Sequence, residues 1–203
     1  MGSVAFCSTG PALDWVHRGV SVMMHRPHSL RFGILALLVV VPAALVGAEA
    51  GGVQFDDPSG WMSAPKPMRA ANYTIPAAAG DQQDGELAIF YFGPGQGGGV
   101  EANVRRWLGQ FVKADGSPMT SGDAERQDQQ VGGMAVTLLD VSGTYLFKPF
   151  PMAPRATPMP GYRMLAAIVQ GPDAPVFFKL TAPAKTAAEA EAEFRKIIAS
   201  LRR

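Results

Sequence analysis

The stretch Gly93-Pro94-Gly95-Gln96-Gly97-Gly98-Gly99 follows the apolar run Leu87-Ala88-Ile89-Phe90-Tyr91-Phe92 and leads into Val100-Glu101-Ala102-Asn103. A glycine-rich turn between a strand and a helix can cradle a phosphate. Glycine lets backbone N–H groups approach an anion, and a helix N-terminus carries partial positive charge. Gly93, Gly95 and Gly98 spell GxGxxG, the dinucleotide fingerprint. Pro94 removes a donor from that turn, however, and polar turn sequence stands where a second parallel strand should follow the helix. Asp115 has about the separation of a ribose-binding carboxylate, but it falls within that turn sequence. Gly93 and Gly98 also have the P-loop separation, yet Gly99 and Val100 occupy the places of its lysine and hydroxyl residue. What remains is capture of a small anion, or of a partner's carboxylate, by the backbone of Gly97, Gly98 and Gly99. Asn103 and Arg106, one turn into the helix, would assist. The plainer alternative is a tight strand-to-helix corner whose dipole Glu101 already complements.

Other chemistries lack their residues. His17, His25, His28 and Cys7 all precede Ala48. The chain beyond that point has neither the base of a nucleophilic triad nor the usual zinc or iron ligands, so no metal and no cofactor is expected. Ser142, in Val141-Ser142-Gly143, does not stand in a nucleophile elbow. The carboxylates Asp56-Asp57, Asp81 with Asp84, and Asp123 with Glu125 could act as glycosidase pairs, but all sit in turn-like, solvated sequence. Met152 and Met159, with Met62, Met68 or Met164, could hold Cu(I) by thioether; without tight repeat spacing, adaptable packing is the favoured use.

The apolar run Phe32 to Leu45, preceded by Arg26 and Arg31 and followed by Val46-Gly47-Ala48-Glu49-Ala50, has the order of a secretory signal peptide. Cleavage is expected near Ala48 or Ala50. An uncleaved membrane anchor is the alternative, but the run is shorter than the roughly 20 apolar residues of a span. Residues 1–22 are too long and mixed for an n-region and read as an upstream extension, with translation starting at Met23 or Met24. The remaining boundaries are a signal peptide over 23–50, an extended lead-in over 51–67 and a single domain over 68–203. Residues 51–203 carry fifteen Lys or Arg against fifteen Asp or Glu, without a basic stripe. That excludes a nucleic-acid tracker and gives no polybasic hold on a membrane after cleavage.

Several elements must position these residues. Strands are expected over Met68 to Ile75 and Leu87 to Phe92, and Trp61 should cap the core. A helix from Val100 buries Val104, Trp107, Leu108 and Phe111 and ends in the turn formers of Lys113 to Gly122. Gly132-Gly133 marks a hairpin between strands over Glu125 to Val131 and Met134 to Val141, the second continued by Gly143 to Phe147. Lys148 to Gly161, with five prolines, reads as a long surface loop. Strands over Tyr162 to Gly171 and Val176 to Ala182 follow, joined by a Gly-Pro-Asp-Ala-Pro turn. A capping box, Thr186-Ala187-Ala188-Glu189, opens a final helix with Ala190, Phe194, Ile197, Ile198 and Leu201 as its buried stripe. Without βαβ alternation, the fold class is α+β: a mainly antiparallel sheet of about six strands flanked by two helices.

Tyr91-Phe92-Gly93-Pro94-Gly95-Gln96-Gly97-Gly98, Glu101-Ala102-Asn103 with Arg106-Trp107 and Gln110-Phe111, and Val141-Ser142-Gly143-Thr144-Tyr145 resemble an uncharacterised family of exported bacterial proteins. The ending Phe177-Phe178-Lys179-Leu180-Thr181-Ala182-Pro183, followed by a helix closing on Ile198-Ala199-Ser200-Leu201, is similar to PsbP-like domains. This resemblance implies an α/β/α sandwich around an antiparallel sheet, and an accessory or binding role without a catalytic residue. The functional expectation is an exported, periplasmic or secreted, non-enzymatic domain. It would bind a protein or envelope component through the glycine corner and the Pro/Met loop. A small-anion module at Gly97 to Asn103 is the alternative, and an enzyme of unknown type the third.

Overall fold

The computed structural model describes residues 47–150 and 152–203. The upstream extension 1–22 and all but Gly47–Ala50 of the signal segment lie outside the described residues. In chain order the strands are β1 (Gly47–Ala50), β2 (Val53–Asp56), β3 (Met62–Ser63), β4 (Ala71–Ile75) and β5 (Gly85–Tyr91), then β6 (Phe111–Val112), β7 (Glu125–Val131), β8 (Met134–Phe147), β9 (Thr157–Gln170) and β10 (Pro175–Pro183). Helix α1 (Val100–Leu108) lies between β5 and β6, and helix α2 (Ala184–Ala199) follows β10.

The main sheet has eight strands in the order β3-β4-β5-β10-β9-β8-β6, with β7 paired to another stretch of β8. Every pairing is antiparallel. The fold class is α+β, as expected, but the strands outnumber the expected six. The additions are short pieces such as β3 and β6, and a separate β1–β2 hairpin. The central strands are apolar on both sides because both faces are covered. In β9, Met164 to Val169 are all buried.

One face carries α2 and the β1–β2 hairpin. Phe55 meets Phe178 edge-on at 5.1 Å, and Phe194, Ile197, Ile198 and Leu201 of the expected stripe close over Leu87, Ile89, Val176 and Leu180. Trp61 packs at the rim of this core. The chain end ties down the hairpin: Gln54 and Arg202 exchange backbone hydrogen bonds of 2.8 and 3.0 Å, and Arg202 pairs with Asp56 at 2.8 Å. The other face carries α1, whose Val104, Trp107 and Leu108 pack with Phe111, Leu139, Ile168 and Phe177.

Local expectations meet some differences. Helix α1 stops at Leu108, capped by Gly109, so Phe111 reaches the core from β6 and not from the helix. The strand expected from Met68 is β4 and begins at Ala71; Met68 instead turns with φ of 61°. Thr157 to Gly161, expected in the proline loop, are the start of β9. Pro158 is tolerated because β9 pairs there with β8 alone; β10 joins only from Tyr162, so the missing N–H faces an open edge. Thr186 is not a cap residue: α2 opens two residues earlier behind Pro183. The orphan Thr186 amide and its hydroxyl both donate to Asp81 Oδ2, at 2.9 and 2.6 Å, and Thr186 Oγ1 accepts from Ala78 N at 3.0 Å. A distant loop thus supplies the capping carboxylate, whose pKa the Thr186 hydroxyl and amide hold below its ordinary range.

Candidate functional site

The glycine corner leaves β5 at Tyr91 and reverses through Gly93, Gly95, Gly97 and Gly98, all at positive φ. At Gly97, φ is 97° and a Cβ would stand 2.8 Å from the Phe177 ring, so the backbone lies directly on the α1-side core. Asn103, expected to assist an anion one turn into the helix, is only 2% exposed. Its Nδ2 donates to the carbonyls of Gly97 (2.8 Å) and Gly99 (2.9 Å), and its Oδ1 accepts from Arg106 at 2.5 Å. The structure therefore brings Gly97, Gly98, Gly99, Asn103 and Arg106 together. Both protons of the Asn103 amide, however, are spent on loop carbonyls. What the corner still offers is the exposed backbone of Gly98 and Gly99.

A second constellation lies lower on the same sheet face, where α1 does not reach. Lys179, half-buried, bonds Gln110 Oε1, and its ammonium stands 5.2 Å above the Tyr145 ring. Burial draws its pKa down to about 8, with Arg69 and Arg106 adding to the fall and Glu86 opposing it. Burial raises the Glu86 carboxyl, but Lys66 and Arg69 outweigh it and hold the group below the carboxylate range. Arg69 pairs with Glu86 at 3.0 Å, donates to Asn72 Oδ1 at 2.7 Å and lies 5.1 Å over the Phe90 ring. Asn72 is 2% exposed, and its Nδ2 has no partner among the described residues. Sequence reasoning did not single out this array. The signal available was Lys179 itself, a lone cation inside Val176-Phe177-Phe178-Lys179-Leu180.

The third region is the β8–β9 arm. Tyr145 to Phe147 pair with Thr157 to Met159, beyond the end of β10; on the other side Tyr145 still pairs with Phe111 of β6 and Leu146 N donates to Gln110 O at 2.8 Å, so the arm is free on that side only from Phe147. At its base, the two-residue step from Gly143 to Tyr145 on β8 faces a three-residue step on β9, from Tyr162 to Met159. The extra residue is accommodated by Gly161 at φ 70°, a bulge that bends the arm. Tyr145 stacks on Tyr162 at 6.0 Å and meets Phe147 at 6.4 Å. Past them Phe147, Phe150 and Met152 are 41, 56 and 87% exposed, an apolar tip on a polar surface.

On the opposite face a groove of about 620 Å³ runs between Phe194 and Ile198 of α2 and Gln127 and Gln129 of β7, floored by Leu138 and Leu165, with Glu125, Arg126, Asp140 and Arg195 also in its lining. Its two arginines have acidic partners already: Arg126 pairs with Glu101 and Asp128, and Arg195 with Glu191. Arg163, nearby, is closed by Asp140 (2.5 Å) and Glu191 (2.8 Å), which lifts its pKa above the usual arginine value and locks β8, β9 and α2 together.

Apart from the exposed Glu125, the carboxylates considered as pairs have structural partners. Asp56 holds Arg202, Asp57 accepts from the Tyr73 hydroxyl, Asp84 accepts from Ala77 N, and Asp123 takes Lys113 and Thr120. Met62 and Met68 lie at the β3–β4 edge, whereas Met152 and Met159 lie at the arm, so these thioethers do not converge. Among the described residues no group of three or more His, Cys, Asp or Glu is placed to hold a metal ion.

No family model matches the chain, and no curated protein does. Among solved structures it is similar to a Pseudomonas aeruginosa protein of unknown function, at 14% identity over 77% of this chain and 95% of that one, with a TM-score of 0.43. It is also similar to the cyanobacterial PsbP protein of Synechocystis sp. PCC 6803, at 13% identity over 76% of this chain and 89% of that one, again with a TM-score of 0.43. Neither likeness carries a function across.

Proposed function

We propose that this chain is an exported accessory domain of the bacterial cell envelope that docks on another protein through the β8–β9 arm. The observation that carries the reading is the exposure of Phe147, Phe150 and Met152 together on one overhanging hairpin. Apolar side chains held out on a rigid support cost solubility, and contact with a partner recovers that cost. The bend at Gly161 and the Tyr145–Tyr162 stack make the support stiff.

Export rests on the charged, apolar and small-residue order of residues 23–50. Glu49 and Ala50 pair with Gln54 and Val53, and Ala50 is 5% exposed. Processing after Ala48 would take Gly47 and Ala48 out of this hairpin, and processing after Ala50 would take all of β1. The intact mass of the exported protein tests this: loss of residues through Ala48 or Ala50 is expected, and retention of residues 23–48 overturns it.

Docking is tested by retaining envelope proteins of the native host on the immobilised chain and on a Phe150→Asp, Met152→Asp variant. Both side chains are exposed, so stability should change by less than about 0.5 kcal/mol, while retention of the partner falls at least about tenfold. Equal retention by both chains, or no saturable partner for either, overturns the reading.

A further inference from the structure

The main sheet ends on one side at β3, a strand of two residues. On the other side β6 and β7 both pair with β8, end to end. β6 has two residues, and its Val112 bridges onward to Pro118. β7 has seven residues and pairs with β8 alone; its outer side meets no backbone partner among the described residues. A long open edge is a template for another strand, and proteins usually blunt it with proline, lysine or a bulge. Glu125-Arg126-Gln127-Asp128-Gln129-Gln130-Val131 has none of these, and its register with β8 runs unbroken from Glu125 opposite Asp140 to Val131 opposite Met134.

The turn that joins β7 to β8 fixes which backbone groups point outward. Val131 and Met134 close the two-residue turn Gly132-Gly133, both glycines at positive φ, so this pair exchanges both of its backbone bonds. Bonded and non-bonded pairs alternate from there, and Gln129, Gln127 and Glu125 bond β8 as Val131 does. The N–H and C=O groups of Gln130, Asp128 and Arg126 therefore face away from β8. Side chains alternate as well. Arg126 and Asp128 lie on the α1 face, where Arg126 reaches Glu101; Glu125, Gln127 and Gln129 lie on the α2 face and line the groove beside Phe194.

We propose that β7 pairs with β7 of a second copy of this chain, antiparallel about a two-fold axis, and joins the two main sheets into one. Outward groups must meet outward groups, so Arg126, Asp128 and Gln130 pair among themselves. Centred on Asp128, the pairing sets that carboxylate against its own copy; centred on Gln129, it leaves Arg126 without an acid opposite. Centred on Gln127, it sets Arg126 opposite Asp128 of the second copy and Asp128 opposite Arg126 of the second copy, two ion pairs from one symmetric contact. Arg126 has five N–H donors, and its bonds to Glu101 and Asp128 of its own chain engage two of its nitrogens, Nη1 and Nε, which leaves donors for the second copy. The same register sets Glu125 beside Gln129 of the second copy. Glu125, exposed and without a side-chain partner among the described residues, thereby gains an amide donor. The contact is short and polar, which puts it at the weak end of protein interfaces. It uses the part of β8 before Val141, so both β8–β9 arms stay clear and the pairing does not depend on docking there.

Sedimentation equilibrium of the purified chain should show a reversible dimer with a dissociation constant on the order of 10–100 μM. Arg126→Asp and Asp128→Arg each set like charges against one another twice and should weaken the dimer at least about tenfold. Both side chains are exposed, and melting curves of the variants show whether they are folded. An equimolar mixture of the two variants should regain the dimer, because the acids of one chain then face the arginines of the other. Association through the apolar run 32–45 would not respond to these charges. The register has its own readout in a Cys7→Ser background. Gln127→Cys should oxidise to a covalent dimer, since a non-bonded antiparallel pair holds its Cα atoms about 4.5 Å apart, within disulfide range. Gln129→Cys should not, because its two copies stand about 14 Å apart along the strands. A chain that stays monomeric up to about 500 μM overturns the proposal and leaves the edge to another protein's strand or to solvent. A dimer that neither charge reversal weakens, a mixture that stays monomeric, or equal cross-linking by the two cysteine variants overturns it as well.

Discussion

Phe177 and Phe178 are neighbours in β10 and both are buried, yet they belong to different interiors. Phe178 meets Phe55 under α2, a helix of 16 residues; Phe177 meets Trp107, edge-on at 6.2 Å, under α1, a helix of nine. The lengths are about 24 and 14 Å. The longer helix, with the β1–β2 hairpin beside it, covers the strands with apolar side chains. The shorter one leaves part of its face uncovered, and there β4, β5 and β10 carry Asn72, Glu86 and Lys179. Polar chemistry has room where the fold does not need an apolar residue.

The largest test of this comparison is truncation of the two phenylalanines. Phe178→Ala should cost about 4 kcal/mol and Phe177→Ala about 3 kcal/mol in urea unfolding, because the shorter cover on the Phe177 side can collapse further into the void. A reversed order would break the distinction between the faces. Next in size, Thr186→Val should cost about 2 kcal/mol by leaving Ala78 N and part of the first turn of α2 without partners. Asp81 is held below its unfolded pKa, so its stabilising bond to Thr186 is complete above the ordinary carboxylate pKa. It fades as pH falls through the folded value. The gap between the two chains should therefore narrow in acid, and a gap independent of pH would remove the Asp81 cap from the account of the α2 face.

The smallest effect belongs to the α1 face. Lys179→Met should be neutral or stabilising by roughly 1 kcal/mol at neutral pH, since it removes a desolvated charge. With a folded pKa of about 8, the lysine binds fewer protons in the folded than in the unfolded state up to about pH 10.4. The penalty is thus complete below about pH 8 and relieved between these values. Urea midpoints of the two chains should converge over that interval. Parallel curves would mean that the ammonium is solvated and that this face is ordinary surface.

The sequence made the α2 face readable because its signals are local. Ala190, Phe194, Ile197, Ile198 and Leu201 repeat at helical spacing, and Gly132-Gly133 sits between two alternating runs. The same holds for Val104, Trp107 and Leu108 of α1. What was not readable depends on residues far apart in the chain. β6 is two residues long and exists only through its register with Tyr145 and Thr144. Pro158 is acceptable in β9 only because no strand lies on its other side. The capping partner of Thr186 is Asp81, which no local pattern connects to it. The cross-strand row of Asn72, Ala88 and Lys179 needs two registers at once, Asn72 opposite Ala88 and Ala88 opposite Lys179. The glycine corner is legible as a turn, but helical periodicity does not reveal that the Asn103 amide folds back onto Gly97 and Gly99 instead of toward a ligand.

The backbone ladder between Gln54 and Arg202 brings the first described strands and the last residues of the chain to one corner. A circular permutant that joins Arg203 to Gly51 through a short flexible linker and opens in the loop around Met152 would preserve the order of neighbours in the main sheet. Its new ends would emerge at the arm. Such a molecule would carry any fused cargo on the apolar tip, whereas a cargo on the native ends would leave that tip clear.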